Sequence, residues 1–162
     1  MKGVALLLIV FLFVGLGFMK KNSNGSKSKT NLSVNRGIRN NNPLNIRKGN
    51  NWIGESESRD NEFETFSHHK YGFRAAAKLI RNYQKRYGLN TVSLIIGRWA
   101  PPNENDTGNY AQFVANQLKV GVNEPLDVRD NNKLAQLLHA MSIMEVGRHY
   151  TLNDAMRGVR LV

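Results

Sequence analysis

The chain has 162 residues, 41% of them hydrophobic and 22% charged, enough for one globular domain with a short extra segment and too few for two catalytic domains. Twenty-three Lys and Arg against twelve Asp and Glu leave a formal charge of +11, which calls for an anionic partner such as nucleic acid, anionic lipid or an envelope polymer. The absence of cysteine excludes disulfide scaffolds, zinc–thiolate sites, iron–sulfur clusters and cysteine nucleophiles together.

Gly3 to Met19 is a run of seventeen uncharged, mostly apolar residues behind Lys2, at the short limit for crossing a hydrocarbon core. Residues 1–19 therefore read as a transmembrane anchor or signal segment. No small-x-small cleavage pattern precedes Lys20, so an uncleaved anchor is expected, with residues 3–19 in contact with a membrane. Lys20, Lys21, Lys27 and Lys29 outnumber Lys2 and the amino terminus, which favours a cytoplasmic C-terminal part. Residues 20–35, rich in Ser, Asn, Lys and Gly, have the composition of a flexible basic linker. Five lysines lie before residue 30, leaving eighteen basic against twelve acidic residues beyond it, or +6. Residues 36–162 are expected to form the single folded domain.

Between Arg36 and Phe66 the Gly, Pro and Asn punctuation predicts loops, with short strands around Trp52-Ile53 and Glu62 to Phe66. Beyond this the pattern is helical. Tyr71, Ala75, Leu79, Tyr83 and Tyr87 recur at steps of four and form one stripe of a helix ended by Gly88. Thr91 can cap a second helix that turns Leu94, Ile95 and Trp99 inward and stops at Pro101-Pro102. Thr107 can cap a third, carrying Tyr110, Val114 and Leu118. Asp130 can cap a fourth, with Leu134, Leu137, Leu138, Met141 and Met144 on its buried face and Gly147 as its terminator.

Glu145 is the leading candidate acid. It ends a strongly apolar helix, where the negative end of the macrodipole and apolar neighbours both disfavour ionisation and push its pKa up, as a general acid needs. The alternative is an exposed last-turn residue pairing with Arg148. Glu55, Glu57, Asp60, Glu62 and Glu64 offer a second carboxylate, Glu55 first and Glu62 next, although five acids so close together also describe a solvated face. Glu104 and Asn105 sit in a proline-stiffened loop and suit sugar hydroxyls or, alternatively, a helix cap. Tyr71, Trp99 and Tyr110 suit ring stacking or, alternatively, the core. His68, His69, His139 and His149 show no metal-binding spacing, and no phosphate-cradling or Ser-hydrolase motif occurs, so neither metal nor cofactor is expected.

Several of these residues carry a family resemblance. Arg36-Gly-Ile-Arg-Asn-Asn-Asn-Pro-Leu-Asn-Ile-Arg47, Trp52-Ile-Gly-Glu55, Phe63-Glu-Thr-Phe66, Tyr71-Gly-Phe-Arg74 and Arg98-Trp-Ala-Pro-Pro-Asn-Glu-Asn105 with Tyr110 resemble the phage peptidoglycan-degrading proteins related to the cystoviral virion lysin, over residues 36–150. That resemblance implies a mainly α, α+β lysozyme-like domain with four or more helices and a small strand and loop lobe. With the N-terminal transmembrane helix, this is the expected architecture. A second resemblance, to bacterial glucosaminidases, sets a helix ending in a catalytic Glu before an Asn-rich segment. Here the helix ending Met144-Glu145-Val146-Gly147 follows that segment, as in a circular permutation.

Together these imply a glycan-cleaving enzyme, of lytic transglycosylase, muramidase or glucosaminidase type, acting on peptidoglycan from a virion or host inner membrane and meeting other virion proteins. Glu145 and Glu55 would be catalytic; Asn42, Asn45, Arg47, Glu104, Asn105, Tyr110 and Tyr71 would bind substrate. Lytic transglycosylases can use one Glu as acid and base, because the substrate's own hydroxyl attacks, which suits a lone good acid. A catalytically silent virion protein with the same fold is the main rival. A nucleic-acid-binding domain rests only on charge and is not expected.

Overall fold

The computed structural model describes residues 34–57, 60–103 and 105–162. Six helices follow one another in these residues: α1 (Arg36–Arg39), α2 (His69–Tyr87), α3 (Val92–Trp99), α4 (Thr107–Leu118), α5 (Asn131–Val146) and α6 (Leu152–Val159). α5 is the centre of the assembly and packs against α1, α2, α4 and α6, while α2 packs on α6 and α3 on α4. Its buried residues run from Leu134 and Ala135 through Leu137, Leu138, Ala140, Met141 and Ser142 to Glu145 and Val146. That is more than one stripe, as befits a helix enclosed by four others.

The helix ends follow their sequence signals closely. The Thr91 hydroxyl accepts from Leu94 N at 3.2 Å and Asp130 Oδ1 from Asn132 N at 2.7 Å. Gly88 terminates α2 in the left-handed region at φ 65°, where a Cβ would be strained. Three details differ from expectation. Leu94 is exposed rather than inward, because Ile95, Ile96 and Trp99 already fill the inner face of α3. Asp106, and not Thr107, caps α4, leaving the Thr107 hydroxyl to donate to Ala100 O at 2.6 Å. The short α6 was not anticipated; its Thr151 and Asp154 form a reciprocal capping box, which stabilises a short helix at its first turn.

The expected strand lobe is corrected. Among the described residues the pairing consists of isolated antiparallel bridges, Arg47 with Phe63, Glu55 with Phe66 and Thr91 with Pro125. The segment over residues 40–66 is shaped instead by asparagine side chains. Asn42, fully buried, donates to Ile46 O and Glu64 O at 2.9 Å each and accepts from Ile46 N at 2.9 Å. Asn41 donates to Phe66 O at 3.0 Å, and Asn40 to Asp60 Oδ2 at 2.7 Å. Asn41 and Asn45 adopt positive φ, 50° and 47°, which Asn tolerates better than other residues with a side chain. Side-chain amides thus supply the bonds that a sheet ladder would otherwise make.

The transmembrane helix of the expected architecture, residues 1–19, falls outside the described residues, together with most of the linker. Among the described residues no helix is long and apolar enough to cross a membrane.

α2 and α6 approach so closely at Gly158 that a Cβ there would lie 2.7 Å from Lys70 O and 2.8 Å from Arg74 N. Backbone atoms cannot swing aside as a side-chain tip can. Gly158→Ala should therefore destabilise the protein by about 1–3 kcal/mol, read as a lower thermal midpoint. Gly97→Ala, in α3 with open space around the added methyl, should leave the midpoint unchanged or raise it through helix propensity.

Candidate active site

Glu145 belongs to the last turn of α5 and is only 7% exposed. Three donors reach its carboxylate from three other parts of the chain. Trp99 Nε1, at the end of α3, donates to Oε1 at 3.1 Å, and the Tyr110 hydroxyl of α4 donates to the same oxygen at 3.0 Å. Asn45 Nδ2, from the loop after α1, donates to Oε2 at 3.1 Å. The approach of that loop depends on Gly37, where a Cβ would lie 2.5 Å from Val146 Cγ1 and 2.7 Å from Asn45 Oδ1.

Burial dominates the electrostatics and pushes the Glu145 carboxyl up to about 8, against the three hydrogen bonds and the nearby Arg36 guanidinium, which favour the charged form. The same burial, together with the neighbouring carboxylate, drives the Tyr110 hydroxyl well above its ordinary range. At neutral pH the Glu145 carboxyl therefore carries a proton in most molecules, and the surroundings can accommodate it. Tyr110 OH also faces Met141 O at 3.4 Å, so the phenol can accept from a protonated Oε1 and donate onward to that carbonyl. Asn45 Oδ1 is buried without a hydrogen-bond partner among the described residues, and a turn of its amide would present this acceptor to Oε2.

The structure gathers some of the sequence-derived candidates and separates others. Asn45 and Tyr110 contact Glu145 directly. Asn42 spends its amide on the loop backbone, as described above. Glu55 is exposed and accepts from Trp52 N. Arg47 lies over the Phe63 ring at 4.9 Å and pairs with Glu62 at 3.5 Å. The Tyr71 ring covers Gly54, and Asn105 donates to Pro101 O at 3.1 Å. Glu104 lies outside the described residues. Glu145 does not pair with Arg148, which is exposed beyond the helix end while Glu145 turns inward.

Two neighbours were not assigned to this site from sequence. Trp99 reads as a core aromatic and is fully buried, yet its indole N–H is also a ligand of the carboxylate. Arg36 stacks on Phe63 with its Cζ 3.5 Å from the ring centroid, close enough to favour the charged form of Glu145. The unusual order Arg98-Trp-Ala-Pro-Pro was the one available signal for Trp99.

These features define a small helical protein built around a buried, hydrogen-bonded glutamate. No family model matches the chain. Over 129 residues it is 42% identical to Protein P5 of Pseudoalteromonas phage PM2, an alignment that covers 76% of this chain and 79% of that protein. The chain belongs to the family of that phage protein.

A folded-state pKa raised above the ordinary carboxylate value of 4.5 means that folding favours the neutral form. This contribution is complete below the ordinary value and is lost as pH rises through about 8. Wild type should therefore lose thermal stability over that interval relative to Glu145→Gln, whose side chain stays neutral. In a Trp52→Phe background the remaining tryptophan is Trp99, and its emission should titrate with a midpoint about 8. A flat emission curve from pH 5 to 10, or one unchanged by Glu145→Gln, would contradict the assignment.

Proposed function

We propose that this phage protein cuts the glycan strands of peptidoglycan, in or alongside the virion, with Glu145 as general acid. The observation that carries the reading is the Glu145 carboxyl itself, buried and held by Asn45, Trp99 and Tyr110, with burial pushing its pKa up to about 8. The resemblance of residues 36–150 to the lysin-related phage proteins supports it independently of the pKa. In this chemistry the carboxyl protonates the bridging glycosidic oxygen as that bond breaks and the ring takes on oxocarbenium character. The carboxylate left behind then removes a proton from the attacking hydroxyl, either the substrate's own or a water's, and the acid is restored. One group suffices for both proton transfers. The donors around Glu145 favour the transient carboxylate, and so lower the cost of giving up the proton.

A second reading is favoured by the near-enclosure of the same residue. A carboxyl only 7% exposed that joins three helices and a loop is also the design of a purely structural hub, as in a catalytically silent phage protein.

Zymography on purified peptidoglycan with mass spectrometry of the fragments separates the two. On the first reading wild type releases anhydro or reducing sugar fragments and activity falls as pH rises through about 8, because the acid is then deprotonated. Glu145→Gln should lower the rate by roughly a hundredfold or more in a protein that still folds, since the amide can accept from Trp99 and Tyr110 and donate to the Asn45 oxygen. Absence of cleavage by folded wild type between pH 5 and 7, with Glu145→Gln altering stability alone, would establish the structural hub instead.

A further inference from the structure

The helices divide the charges unevenly. From Thr65 to Asn103 the chain carries seven Lys and Arg and no acid, and α2 lies within that stretch. Lys70, Arg74, Lys78, Arg81 and Lys85 follow one another at steps of four, four, three and four. At about 100° per residue they share one sector of about 80° and form a row roughly 22 Å long. Lys78 and Lys85 are exposed, Lys70 and Arg74 partly so. α6, packed on α2, adds the exposed Arg157 and Arg160. Like charges at such spacing destabilise a helix, and among the described residues no Lys or Arg of α2 is paired with an acid.

The acids bordering this face are already engaged. Asp154 of α6 lies 3.3 Å from His69 Nε2 and closes the capping box with Thr151. At the start of α5, where Arg81 reaches Asn131, Asp127 pairs with Arg129 and Asp130 caps the helix. Arg81 spends its guanidinium on Val128 O, Val162 O and Asn131 Oδ1, so it contributes charge more than contact. Arg74 uses only Nε, on Leu161 O at 3.2 Å. The exposed positions of α2 before Tyr87 are Lys78, Asn82, Lys85 and Arg86. A bilayer surface is met by aliphatic or aromatic side chains beside the cations, and a single nucleic-acid strand by rings on which its bases stack; the row presents neither. The closely spaced phosphates of a duplex require only the cations.

We propose that this face of α2, with Arg157 and Arg160 of α6 beside it, binds the phosphate backbone of duplex nucleic acid without regard to base sequence. Net charge alone names no partner; the row adds a direction and a spacing, which is what backbone contacts use to position a duplex. None of these residues bonds to Glu145, so duplex binding and glycan cleavage stand or fall separately.

The test is fluorescence anisotropy of the full-length chain with two labelled DNA duplexes of about 20 base pairs and unrelated sequence, between about 50 and 200 mM salt. Similar affinity for both duplexes is expected, falling as salt rises. The double variant Lys78→Gln, Lys85→Gln, at two exposed positions, should weaken binding by roughly tenfold or more and flatten the logarithmic salt slope by about two, one phosphate contact per lysine. The double variant Lys48→Gln, Lys119→Gln removes the same charge at exposed positions away from α2 and should leave the slope nearly unchanged. Equal effects of the two double variants would assign binding to net charge or to the N-terminal lysines and overturn the proposal. So would a preference of about tenfold or more between the duplexes, the absence of binding, or capture by phosphatidylglycerol vesicles and by neither duplex.

Discussion

The carboxyl group of Glu145 is the point at which the separate parts of this protein are tied to one another. α5 carries it, and α3, α4 and the loop after α1 each contribute one polar atom to it, no two from the same element. Burying such a group is costly unless its bonds are made, so the positions of Trp99, Tyr110 and Asn45 are constrained together. The surrounding apolar packing then follows from elements that are already fixed in relation to one another. α5 has to be buried on several sides because its acidic end lies where the others converge.

The asparagine-rich loop depends on the same constraint. Asn45 must reach Oε2 from a backbone in the left-handed region, and Gly37 must lack a side chain so that this loop can lie against Val146. Asn40, Asn41 and Asn42 hold the remainder in place by bonding to chain segments twenty or more residues away, or across the turn itself. What looks in the sequence like a polar, weakly structured stretch is a set of side-chain bonds made in the absence of a sheet.

The sequence carried the helices well and the site in part. Spacing and caps located α2, α3, α4 and α5, because those signals are local: Thr91, Asp130 and Gly88 act on the turns beside them. The placement of Glu145 at an apolar helix end was legible for the same reason, as was its raised pKa. The link to Asn45, a hundred residues away, came from the permuted resemblance and not from spacing. Trp99 reads from sequence as a ring-stacking or core aromatic, and its bond to Glu145 is not legible because nothing local shows where its N–H points. The short strands expected around Trp52-Ile53 and Glu62 to Phe66 are isolated bridges, because short apolar runs between turn residues report burial, whereas pairing depends on a partner segment that here bonds mainly through asparagine amides. α6 was passed over because eight residues give little periodicity, although Thr151 and Asp154 held its capping signal.

Apart from the Asn45 bond to Glu145, the bonds that shape the asparagine loop are made between neutral groups, except where Asn40 meets Asp60. Burial alone would raise the Asp60 carboxyl, but the Asn40 amide, the backbone N–H groups of Glu62 and Phe63 and the charge of Arg36 outweigh it and keep the group below its ordinary range. None of these bonds changes its protonation across the interval in which Glu145 does, and neutral amide bonds are little affected by dissolved ions. The loop therefore acts as a fixed frame of reference: when the central carboxyl gains or loses its proton, Asn45 is carried by a backbone that has no reason to move, and the adjustment falls on the rotation of an amide and a phenol rather than on the path of the chain.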